Sequence, residues 1–101
     1  MRQTLSLASR VRMSEGVLSQ SLDSGMVMLD LDRGVYYGLD SVGTRTWELM
    51  REQPFLPLHK ILDSLLDEYD VHEDQCTQDL LNLVRLMQEK GLVEVCSGSN
   101  P

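Results

Sequence analysis

Two histidines, two cysteines and one run of carboxylates are the residues of this chain with the clearest claim to chemistry. His59 and His72 are separated by a full helical pattern, and neither has a second metal ligand at i, i+4. Cys76 follows His72 by one helical turn. A thiol–imidazole hydrolase needs those groups brought together with a third that orients them, and Cys76 falls instead on an apolar stripe that favours burial. Asp67, Glu68, Asp70, Glu73 and Asp74 lack the glycine and the ligand periodicity of a calcium loop, so they read as a solvated face. No glycine-rich phosphate loop is present. The expectation is a protein without catalytic residues, metal ligands or a cofactor.

Composition narrows the classes further. The 101 residues suit one domain, and 42% hydrophobic with 25% charged residues is an ordinary globular balance. Nine Lys and Arg stand against sixteen Asp and Glu, a formal charge of −7. A duplex DNA binder needs a basic face to displace counterions, so nucleic acid is not the expected partner. Cys76 and Cys96 are too few for a disulfide framework and read as reduced thiols in the cytoplasm. No signal peptide is visible, and the longest unbroken apolar run, Met26 to Leu29, is too short to span a bilayer. Residues 1–12 read as a flexible segment, 13–96 as the domain and 97–101 as a disordered tail.

The elements that must position any site follow from periodicity. Val17 to Leu22, Met26 to Leu31 and Val35 to Leu39 alternate with period two and are separated by Asp23-Ser24-Gly25 and Asp32-Arg33-Gly34, both turn signals. Short connections predict a three-stranded antiparallel meander. In the third strand Val35, Tyr37 and Leu39 share one face, and Tyr36 and Gly38 take the other. The period then changes to 3.6. Asp40 or Ser41 caps a first helix carrying Val42, Thr46, Trp47, Leu49 and Met50. Pro57 opens a second, in which Leu58, Ile61, Leu62, Leu65, Leu66 and Tyr69 recur on one face. A third runs from near His72 to Lys90, and Gly91 caps it before a short extended stretch, Leu92 to Val95.

On that third helix Cys76, Leu80, Leu83, Val84 and Met87 form a stripe that Leu81 and Leu86 widen to roughly 220°, where a one-sided surface helix needs only ~100°. Such a helix touches either two parts of its own core or a core and a guest. The order of three strands and then three helices predicts an α+β fold with a winged helix-turn-helix-like layout. The third helix offers only Arg85 and Lys90 as cations, so phosphate would be repelled.

Gly38-Leu39-Asp40-Ser41-Val42 resembles the phosphopantetheine site of acyl carrier proteins, which would make Ser41 a modified residue. Carrier proteins place a long helix before that serine, whereas strands precede Ser41 here, so a helix cap is the favoured reading. A wider resemblance runs through Gly34 to Gly43, continuing to Trp47-Glu48-Leu49; through Leu65 to Val71; and through Asp79-Leu80, Leu83-Val84, Met87 and Gly91-Leu92-Val93. Together these blocks resemble PqqD-like proteins over about Val17 to Val95. The resemblance implies a recognition element that binds the leader of a ribosomally made precursor peptide and presents it to a leader peptidase or other maturation enzyme, as in lasso-peptide pathways. Members acting in pyrroloquinoline quinone synthesis carry a Pro-Glu-Gly turn where this chain has Leu31-Asp32-Arg33-Gly34, which makes a peptide chaperone of that pathway the secondary alternative.

Given that resemblance, the expected mechanism is strand addition. The leader would pair with the third strand at Val35, Tyr36, Tyr37, Gly38 and Leu39 and lie against the third helix. Cys76, Leu80, Leu83 and Met87 would supply pockets, with Asp79 as a polar contact. The chain would be a monomer or a weak homodimer, since an open strand edge can also accept a second copy.

Overall fold

The computed structural model describes residues 5–23 and 25–96, so the expected tail at 97–101 lies outside the described residues. In chain order the elements are β1 (Arg10–Met13), β2 (Val17–Leu22), β3 (Gly25–Asp30), β4 (Val35–Leu39), α1 (Ser41–Glu52), α2 (Leu58–Glu68), α3 (Glu73–Glu89) and β5 (Val93–Cys96). The fold is α+β. Strands β2, β3 and β4 form the expected antiparallel meander, in that order, and three helices follow.

Alternation assigns the faces of this sheet. Met26, Met28 and Asp30 of β3 are buried, while Val27 and Leu29 turn outward and are half-covered. On β4, Leu39 is buried, Val35 and Tyr37 are half-buried, and Tyr36 and Gly38 are exposed. The register places Met28 opposite Tyr37 and Leu29 opposite Tyr36. Leu31, expected inside a strand, sits in the β3–β4 turn and is 70% exposed. The strand ends at Asp30 because that residue builds the turn. Its Oδ1 accepts the Arg33 amide at 3.2 Å, its carbonyl accepts the Gly34 amide at 2.8 Å, and Gly34 takes φ +69°, where glycine carries no Cβ penalty.

Helix ends follow their capping residues. Asp40, rather than Ser41, caps α1 by accepting the Gly43 amide at 2.8 Å. His72 occupies the N-cap position of α3, but its side chain makes no capping bond. The other end of α3 closes as a Schellman turn. The Leu92 amide donates to Met87 O at 2.8 Å, the Gly91 amide donates to Gln88 O at 3.0 Å, and Gly91 has φ +76°. Met87 and Leu92 are both fully buried, which supplies the apolar contact of that motif.

One correction concerns the ends. Residues 10–12, expected in a flexible segment, form most of β1, which pairs antiparallel with β5 in a second, two-stranded sheet. Val11 is fully buried opposite Val95, and the amides of Leu58 and His59 donate to Ser9 O and Leu7 O, both at 2.9 Å. The cause is non-local. A single valine between Arg10 and Arg12 carries too little alternation to mark a strand, and its partner lies at the other end of the chain.

Candidate functional site

Strand β4 is an edge. It pairs with β3 on one side, and among the described residues no strand pairs with the other. Alternate amides and carbonyls along that border therefore point to solvent, as a template for another extended chain. A shallow hollow of about 430 Å³ lies beside it, lined by Gly34, Val35, Tyr36, Tyr37 and Gly38 together with Lys90. Tyr36 is 69% exposed on the outer face. Around Gly38 the space is open, with no atom within 4 Å of where a Cβ would stand. Lys90 Nζ lies 5.9 Å from the centre of the Tyr37 ring and joins the end of α3 to the strand.

A second, deeper cleft of about 230 Å³ opens between the start of α1, the end of α2 and the first half of α3. Val42, Leu65, Tyr69 and Val71 form one wall, and Cys76, Leu80 and Leu83 form the other. Asp40, Thr46, Gln75 and Asp79 add polar groups to the lining. The Gln75 side-chain amide donates to Asp79 Oδ1 at 2.9 Å, which holds the carboxylate at the mouth. Arg45 braces the α1–α2 wall with two bonds to Glu68, at 2.8 and 3.1 Å. That contact holds the Glu68 carboxyl below its ordinary value and raises the Arg45 guanidinium.

The expected site residues thus fall into two hollows. Val35, Tyr36, Tyr37 and Gly38 line the first, and Cys76, Asp79, Leu80 and Leu83 line the second. Leu39 and Met87 are core side chains at 6% and 0% exposure, so a guest would reach them only by displacing their neighbours. Sequence reasoning missed Lys90, Val42, Val71 and Gln75 as lining residues. Tyr69 was legible only as the last apolar position of the second helix.

The lining groups of both hollows offer apolar contacts and hydrogen bonds. Burial pushes the Cys76 thiol up and nearby Asp79 adds to the shift, so the sulfur stays protonated and poorly nucleophilic. His72 and His59 are both exposed, and neither lines either hollow. Among the described residues no group of three or more His, Cys, Asp or Glu is placed to hold a metal ion, and no helix is long and apolar enough to cross a membrane. Ser41 is exposed behind the Asp40 cap and follows a strand rather than a carrier protein's helix.

The family described as coenzyme PQQ synthesis protein D (PqqD) matches residues 25–93, from the start of β3 into β5. The chain belongs to the PqqD family. Two solved structures resemble it over nearly their whole length. One is TbiB1 in complex with the TbiA(beta) leader peptide, 33% identical, with a TM-score of 0.73, covering 89% of this chain and 99% of that one. The other is a lasso peptide synthetase B1 complexed with the leader peptide, 22% identical, with a TM-score of 0.72, covering 84% and 98%. This second likeness is one of fold. No curated protein matches the chain in sequence. The PqqD-family match takes in β4, α1, α2 and α3, the elements that build both hollows.

Proposed function

We propose that this protein is a non-catalytic, cytoplasmic recognition element that binds the leader segment of a ribosomally made precursor peptide and delivers it to a leader peptidase or another maturation enzyme of a lasso-peptide-type pathway. The fold would act as a winged helix-turn-helix-like scaffold, with β2, β3 and β4 as the wing. The leader adds to β4 as an antiparallel strand, and its side chains reach the hollow beside Lys90 and the cleft along α3.

The observation that carries this reading is the open β4 border, which ends at Leu39 directly before Asp40, a lining residue of the preformed, largely apolar cleft. Extended peptides bind such borders through main-chain bonds, and flanking pockets choose among side chains. A cleft formed before binding lowers the ordering cost of association. The 33% identical TbiB1, solved with a leader peptide, supports the same class of ligand. The absence of Pro-Glu-Gly between β3 and β4, where Leu31 to Gly34 stand, favours the lasso-type branch over quinone synthesis.

The test is a titration of the fluorescently labelled cognate leader into the purified protein, followed by anisotropy. Saturable binding between micromolar and tens of nanomolar, about −8 to −10 kcal/mol, is expected. A flat titration with protein whose circular dichroism reports an intact fold would overturn the reading.

A further inference from the structure

The opposite border of the same sheet is also open. Strand β2 pairs with β3 alone among the described strands, and every residue from Leu18 to Leu22 is exposed, so no helix covers it. Edge strands of soluble proteins are normally guarded by a charge, a proline or a bulge. Strand β2 has none of these: its six residues are Val-Leu-Ser-Gln-Ser-Leu, paired without interruption to β3 from Val17 opposite Asp30 to Leu22 opposite Gly25. In a chain of net charge −7 this uncharged stretch is a place where two copies can approach without repulsion.

The stretch Leu18-Ser19-Gln20-Ser21-Leu22 reads identically in both directions. We propose that β2 is a self-association edge, along which two copies of this chain pair antiparallel about a two-fold axis through Gln20. A two-fold interface requires a self-complementary surface, and this strand supplies one. With Gln20 opposite its own copy, Leu18 faces the partner's Leu22 on the outer face, and this pair occurs twice. The same register sets Ser19 opposite the partner's Ser21 on the other face. Leu18 and Leu22 are 52% and 55% exposed in the single chain, and pairing would cover them. A shift by a single residue would set leucine against serine and align the outer face of one copy with the inner face of the other, so the register is specified by the pattern itself.

The product is a six-stranded sheet with a β4 at each outer border. Both borders proposed for the leader remain open, so the inference stands whether or not the leader reading does. A stable interface buries roughly 1,200 Å² or more. A single five-residue border with four leucines buries less, so the dimer forms at micromolar and higher concentrations.

Sedimentation equilibrium of the purified protein without any peptide tests this. The expected mass rises from 11.5 kDa toward twice that value between roughly 10 and 500 µM, and Leu18→Lys lowers the association constant at least tenfold. Gln20→Cys in a Cys96→Ser background gives an independent readout. Facing strands hold their Cα atoms about 4.5–5.5 Å apart, within reach of a disulfide, so mild oxidation should yield a covalent dimer. Ser19→Cys, off the axis, should cross-link at least tenfold more slowly. A mass fixed at one chain across that range overturns the proposal, as does equal cross-linking at the two positions.

Discussion

Lys90, the residue after the last turn of α3, holds its ammonium 5.9 Å above the ring of Tyr37 on β4. This contact closes one end of the hollow beside the open strand border, and it links the helix to the strand that a guest peptide would join. An exposed cation–π pair contributes about 0.5–1 kcal/mol. Lys90→Gln should therefore lower the unfolding free energy by no more than about 1 kcal/mol in urea denaturation, with an unchanged m-value.

Leu80 and Leu83 line the same cleft at different depths, which separates stability from binding. Leu80 is 2% exposed, and Leu80→Ala should cost about 2–5 kcal/mol of stability. Leu83 is half-buried, so Leu83→Ala should destabilise by less than Leu80→Ala does. Its larger effect falls on the leader, with affinity reduced about tenfold for the loss of a buried apolar contact. Denaturant titration and leader anisotropy on both variants check the pair.

Successive amides along β4 point alternately toward β3 and toward solvent. Proline at Tyr36 and proline at Tyr37 should therefore behave differently. One removes a bond of the β3–β4 ladder and unfolds the sheet. The other spares the ladder and weakens leader binding by about one main-chain hydrogen bond, five- to tenfold. Circular dichroism and anisotropy on both variants distinguish the two outcomes.

Cys76 is buried in the cleft with its thiol pushed up by burial and by Asp79. In a Cys96→Ser background it should react with iodoacetamide more slowly than a free cysteine at pH 8. On the proposed docking, saturating leader should slow it further, because the peptide would cover the cleft mouth. Mass spectrometry of timed samples measures both rates.

The Arg45–Glu68 contact ties α1 to the end of α2 and lowers the Glu68 carboxyl. A carboxyl depressed in the folded state adds stability above its unfolded value and loses it as pH falls through the folded one. Glu68→Gln should therefore melt at lower temperature than the parent at pH 7, and the difference should shrink once the pH drops below about 4.3. Thermal melts at pH 7, 5 and 3 give the comparison.

Much of this was legible in the residues. Alternation at Val35 to Leu39 assigned both faces of β4, and Gly91 marked the end of α3. The wide apolar arc of α3 divides as its width implies: Cys76, Leu80, Val84 and Met87 enter the core, while Leu83 lines the cleft and Leu86 stays 41% exposed. What escaped was non-local. Strand β1 depends on β5, at the far end of the chain, where Met13 pairs with Val93 and Arg10 with Cys96, and no local pattern announces such a partner. The single groove expected between strand and helix is divided in two hollows: Gly34 to Gly38 and Lys90 line one, while Tyr69 and Val71, after the end of α2, join α1 and α3 in lining the other, a placement that depends on elements distant in sequence.

The claim on which the rest depends is that a peptide docks on the β4 border. Amide hydrogen exchange, read residue by residue with and without saturating cognate leader, measures this directly. Strand addition predicts new protection at alternate amides of Val35 to Leu39 and little change in β1 and β5. Saturating leader that protects residues elsewhere and leaves every β4 amide exchanging as before would contradict it.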